Sequence, residues 1–257
     1  MDRDDASKLR EWAGVIGVRP VDHRPDLRRW VTWHEAAHAV VAQALGMPIR
    51  EVRIERFAGA WWRGVVAYEA FGPKLAARER VETILAAKVA GPWGDQLRLG
   101  GCYGHRLDVV GAVRYAINFV VSGVVSGSPV AIPLDWRTFE RVRMMLERAS
   151  ERALLLLHRH EAAWAAIARA LKTRRHLSGD EVSELFAETS RGPRPQRRTG
   201  SRSCRHQSED ASAVARLALV ALGTGAGPPH TMPSRRALSL HSRPFARARC
   251  SVHDGSK

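Results

Sequence analysis

A chain of 257 residues, 45% of them hydrophobic, is long enough for one sizeable domain with appendages and apolar enough for a real core. Its formal net charge of +15 is uneven: thirteen Lys/Arg against three Asp/Glu follow residue 190, and they account for two-thirds of the excess. No stretch supplies the roughly 18 uninterrupted apolar residues of a membrane span, and three scattered cysteines (Cys102, Cys204, Cys250) form no disulfide framework.

The chain opens on Met1-Asp2-Arg3-Asp4-Asp5, acidic where a secretory leader is basic and apolar, so a cytoplasmic protein is expected. Residues 1–29 read as an N-terminal extension, a short polar helix and then a linker around Pro20 and Pro25. A helix is predicted from about residue 30 to 45, stopping at Gly46-Met47-Pro48. Residues 49–54 alternate as a strand, and residues 64–68 read as its hairpin partner across a turn at Ala60-Trp61-Trp62-Arg63. A second helix spans about 74–89 and ends at Gly91-Pro92; a third covers about 107–121.

After Pro133 a long amphipathic helix carries Trp136, Phe139, Val142, Leu146, Ala149 and Ala153 on one stripe, read as core. Helices at about 161–171 and 180–187 follow, the last announced by the capping box Ser178-x-x-Glu181. The expected fold class is therefore mainly α with one small β-hairpin, in a domain spanning 30–187. Residues 188–257 are rich in Arg, Ser, Pro and Gly and lack periodicity, so a disordered basic tail is expected there. With Phe245 as its sole aromatic residue, that tail implies weak polyanion binding rather than a nucleic-acid reader.

The chemistry concentrates in His34-Glu35-Ala36-Ala37-His38. On a helix, positions i and i+4 share a face, so both imidazoles can reach one ion. Zinc takes neutral imidazole nitrogen readily, and Glu35 projects beside that face, where a carboxylate can take a proton from metal-activated water. The uncharged flanks suit a helix buried beneath a cleft. A similar stretch, His160-Glu161-Ala162-Ala163-Trp164, has Trp in place of the second His, cannot chelate, and reads as helix surface.

A catalytic zinc needs a third protein ligand. Glu79, Glu82, Asp95, His105 and Asp108 are the downstream candidates. Asp108 leads an apolar helix, a position equally suited to an N-cap or a ligand.

His34-Glu35-Ala36-Ala37-His38-Ala39-Val40-Val41-Ala42 resembles the HEAGHAVVA segment of the FtsH family of zinc proteases. Val89-Ala90-Gly91-Pro92-Trp93-Gly94-Asp95 falls where that family has a GRAAEE-like turn. Residues 108–116 are similar to its DLEQATRIA-like helix, and Leu177-Ser178-Gly179-Asp180-Glu181-Val182 resembles its closing L-x-G-x-E-[IV] element. The resemblance implies a helical zincin-type peptidase domain, Asp108 as third zinc ligand and a polypeptide substrate.

The family's proteases also carry a membrane anchor and an ATPase module, and no G-x-x-x-x-G-K-[ST] loop occurs in this chain. A stand-alone zinc endopeptidase cleaving unfolded or flexible proteins is therefore expected, with an ATPase or unfoldase in trans and a homo-oligomer both left open. Two alternatives are a repressor-cleaving zincin of a mobile element, in which Glu82 binds zinc, and a non-catalytic scaffold or polyanion-binding protein retaining the fold.

Overall fold

Asp26 sets the start of the first long helix. Its carboxylate accepts hydrogen bonds from the backbone N–H groups of Arg28 and Arg29 at 3.1 and 3.3 Å, satisfying donors that a helix terminus leaves free. The computed structural model describes residues 11–19, 26–57, 61–69, 75–102, 106–128 and 135–190. The elements are α1 (described over 11–16), α2 (Leu27–Ala44), β1 (Ile49–Phe57), β2 (Trp61–Tyr68), α3 (Ala77–Leu99) and α4 (Arg106–Ser122). They continue with α5 (Trp136–Arg159), α6 (Glu161–Arg174), β3 (His176–Ser178) and α7 (Gly179–Ser190). The protein is mainly helical, with a small antiparallel sheet. Among the described residues, no helix is long and apolar enough to cross a membrane. The expected tail lies outside the described residues from 191 onward.

Three predicted boundaries are corrected. The hairpin is part of a three-stranded sheet of order β2-β1-β3. Leu177 pairs with Val52 and His176 with Arg53, so the closing element contributes a strand before its helix. Trp61, Trp62 and Arg63 belong to β2, opposite Phe57, Arg56 and Glu55, instead of forming a turn; Ala60 lies outside the described residues. Finally, α3 runs through Pro92 to Leu99 and ends at Gly100, in the left-handed conformation with φ 74°. Proline removes one backbone donor from a helix. The turn carrying it, from Val89 to Asp95, is packed into the interior apart from half-buried Trp93, so tertiary contacts outweigh that loss.

The core forms where α2 lies against α3, α6 and the sheet. Val40, Val41, Leu85, Leu146, Leu157, Ile167, Leu171 and Leu177 are fully buried within it. On α5 the stripe from Val142 to Ala153 is interior as predicted, but Trp136, at the helix's first residue, is 67% exposed with the Arg137 guanidinium over its ring. The capping box forms reciprocally: the Ser178 N–H donates to Glu181 Oε2 at 2.8 Å, and the Glu181 N–H to Ser178 Oγ at 3.3 Å.

Residues 11–19 pack into this core too, with Ala13, Ile16 and Val18 buried. The Cys102 N–H donates to the Arg19 carbonyl at 2.7 Å, and the Arg19 N–H to Gln96 Oε1 at 3.0 Å. Gly17, at φ +86°, faces the Trp93 ring where a Cβ would come within 3.1 Å.

Trp164 is not helix surface, as the decoy motif suggested. It is buried, donates Nε1–H to the Trp33 carbonyl at 3.0 Å and stands edge-on to the Trp33 ring. Both rings flank the Arg98 guanidinium at 4.6 Å, and Arg98 pairs with Glu161. Trp164→Ala is expected to destabilise the domain by about 3–5 kcal/mol through the void it leaves, measurable by urea denaturation. A change below about 1 kcal/mol would contradict this packing.

Candidate metal centre

The helical register of α2 places His34 and His38 on one buried face, with ring centroids 4.8 Å apart. Each ring is oriented through Nδ1. His38 Nδ1 lies 2.6 Å from the Ala87 carbonyl, which can only accept, so this nitrogen carries the proton. His34 Nδ1 donates to Asp95 Oδ2 at 2.9 Å. In the neutral rings both Nε2 lone pairs then turn toward the same point, 3.2 Å apart.

Asp108 completes the group. It is the third residue of α4, and its oxygens stand 3.0 Å from His34 Nε2 and 3.6 Å from His38 Nε2. Metal–ligand bonds of about 2.0–2.1 Å at tetrahedral angles set ligand atoms roughly 3.3 Å apart. The 3.2 Å between the two Nε2 atoms is close to that spacing, and the two Asp108 distances bracket it, with Oδ2 facing His34 and Oδ1 facing His38. Acceptor atoms so near one another repel, and a shared proton or cation relieves that repulsion. His34, His38 and Asp108 are thus a group able to hold a metal ion. The carbonyl and carboxylate behind the two rings are the outer partners that ligating histidines ordinarily have.

Two glycines leave room for the cluster. A Cβ on Gly91 of α3 would lie 2.3 Å from His38 Nε2 and 2.5 Å from His34 Nε2. A Cβ on Gly64 of β2 would lie 2.1 Å from Glu35 Cγ, so the Glu35 carboxylate rests directly against strand backbone. Glu35 itself is buried, on α2 between the two histidines.

The charges are tightly coupled. Burial raises the pKa of Glu35, with the neighbouring histidines partly offsetting it. Burial likewise raises Asp95. Burial would also raise Asp108, but charge from His38 and hydrogen bonds from both histidines hold it well below the usual carboxylate range. For His34 burial opposes the charged form, yet Asp95 and Asp108 win and hold it well above 6.5. The Tyr68 phenol is pushed up, first by burial and then by the charges of Glu35 and Asp108.

The His34 shift carries a sign. A raised histidine stabilises the metal-free fold fully below about 6.5, and that contribution is lost as pH rises through its folded pKa. Ligation needs the neutral ring, so metal and proton compete. Added divalent metal is therefore expected to raise the melting temperature more at pH 8 than at pH 6 in scanning calorimetry. Equal increments at both pH values would contradict this linkage.

Of the sequence-derived candidates, the fold brings together His34, Glu35, His38 and Asp108. Asp95 stands behind His34 as its hydrogen-bond partner. Glu82 pairs with Arg78 at 3.0 Å, and Glu79 is exposed in the first turn of α3; neither joins the metal group. His105 lies outside the described residues. The roles of Gly64, Gly91 and the Ala87 carbonyl went unread in the sequence, because each depends on α2 meeting a distant element. Gly91 did stand out, but as a helix stop. No protein-family model matches this sequence, and no curated protein matches it.

Proposed function

We propose that this chain is a zinc-dependent endopeptidase of the FtsH type, acting on unfolded or flexible polypeptides. The observation that carries the reading is the convergence of two Nδ1-anchored imidazoles and one carboxylate on a single point, with a second, buried carboxylate beside them. Two imidazole nitrogens and one carboxylate oxygen suit zinc and leave a fourth position open for substrate chemistry. A zinc ion held there supplies Lewis acidity, lowering the pKa of water toward about 7 and polarising a carbonyl.

The chain's own residues do the rest. Glu35, buried against Gly64, accepts the proton of the attacking water on a carboxylate oxygen and returns it to the leaving amine. Among the described residues β2 is an edge strand, and its side away from β1 would take an extended peptide by backbone hydrogen bonds. Threading such a peptide requires an unfolded substrate. Opening a folded domain costs roughly 5–15 kcal/mol, and this chain carries no P-loop to draw that from ATP.

The test pairs metal analysis with cleavage of denatured casein for wild type, Asp108→Ala and Glu82→Ala. Wild type and Glu82→Ala are expected to hold one zinc per chain and cleave; Asp108→Ala is expected to lose both properties. Loss in Glu82→Ala alone would favour the repressor-cleaving alternative. Zinc without cleavage in wild type would favour the scaffold.

A further inference from the structure

Glu82 belongs to a different feature of the fold. A cavity of about 320 Å³ opens between the first turns of α3 and the middle of α5. Its lining is Arg78 and Glu82 from α3, and Met145, Arg148, Ala149 and Arg152 from α5. Arg78 Nε donates to Glu82 Oε1 at 3.0 Å, which leaves the two α5 guanidinium groups without that carboxylate. Arg148 and Arg152 are one turn apart on the same face, an arrangement of like charges that disfavours the helix unless a counter-ion is shared.

Neither arginine makes an ion pair among the described residues. On α5, Glu140 and Glu147 are both taken by Arg143, and exposed Glu151 pairs with neither arginine among the described residues. At the α3 end, the N-cap Ala76 makes no side-chain cap hydrogen bond, and the carboxylate in the first turn is that of exposed Glu79.

Three guanidinium groups and one carboxylate leave the lining with two positive charges in excess. Two or more negative charges on a ligand would neutralise it. Guanidinium forks match phosphate oxygens in bidentate geometry. With Met145 and Ala149 as its apolar contribution, the cavity suits a compact polyanion better than an apolar body.

We propose that the α3–α5 cavity is a binding site for a phosphate-bearing polyanion, its oxygens held by Arg148 and Arg152 with Arg78 on the facing wall. This site is independent of the metal group and of the peptidase reading.

The experiment is calorimetric titration of the full chain with inorganic triphosphate at 150 mM salt, which weakens diffuse binding to the Arg-rich C-terminal residues. One saturable event at one ligand per chain is expected. Arg148→Ala/Arg152→Ala should weaken it by at least about tenfold, since two charge-assisted hydrogen-bonding groups are gone. Arg137→Ala/Arg141→Ala, the same charge loss elsewhere on α5, should change it by less than about twofold. A nucleoside triphosphate binding no tighter than triphosphate would identify the phosphate chain as the recognised group; much tighter binding would extend the site to the nucleoside.

Hydrogen exchange on the wild type, which needs no variant to fold, should slow over residues 77–82 and 145–152 when triphosphate is added. Absence of a one-to-one event, equal weakening in the two double variants, or no protection of these two segments would each overturn the proposal.

Discussion

Glu35→Gln is expected to keep its metal at the wild-type level and to lose peptide hydrolysis by about 10²–10⁴-fold, the usual contribution of a positioned proton-transfer group. Glu35 is not among the three converging ligands, so the amide leaves the binding triangle intact. It is nearly isosteric and stays against Gly64, yet it cannot take a proton from water. Burial raises the pKa of the native carboxylate, which makes it a stronger proton acceptor than an exposed glutamate, while His34 and His38 favour its ionised form. Metal content by mass spectrometry beside a casein assay separates the outcomes. Full hydrolysis by the variant would remove Glu35 from the chemistry, and lost metal would make it a ligand.

Gly91→Ala should act on metal affinity instead. The added methyl would sit 2.3 Å from His38 Nε2 and 2.5 Å from His34 Nε2, inside the volume the two coordinating atoms occupy. One of the rings has to turn away, which breaks its Nδ1 hydrogen bond to Asp95 or to Ala87 as well. Affinity is expected to fall by at least about a hundredfold, the upper range for losing a supporting partner alone. Alanine favours a helix over glycine by roughly 1 kcal/mol, so α3 itself has no local reason to weaken. Chelator competition measured alongside far-UV circular dichroism would show metal loss with helix content retained. Metal binding at wild-type strength would mean that the rings do not occupy the positions described.

Much of this was legible because it is local. The i, i+4 spacing of His34 and His38, the Ser178–Glu181 capping box and the 3.6-residue stripe of α5 are each written within a turn or two of helix. Asp108 was legible as one of two readings. Its position in the sequence suits a cap or a ligand equally, and the packing of α4 on α3 and α5 puts its oxygens beside the two rings.

What the sequence concealed is long-range. Asp95 and His34 are 61 residues apart, and nothing in either neighbourhood announces that they meet. Gly91-Pro92 carries a strong local stop, but the packing of α3 on α2 overrides it. β3 is three residues long, too short for an alternation pattern, and exists because β1 has an edge to offer. Glu82 has the composition of a ligand-bearing segment, and the geometry turns it toward arginines instead.

The segment through Arg19 contains no ligand, yet it reaches the centre through two hydrogen bonds. It holds Gln96 near the end of α3 and Cys102, four residues before the start of α4 and so on the approach to Asp108. The hold on any ion bound there would consequently be shared with residues that never touch it. A preparation clipped between residues 19 and 26 would retain every ligand in its polypeptide and still release its metal sooner to a chelator. Intact mass at the N-terminus therefore belongs beside every occupancy measurement made on this chain.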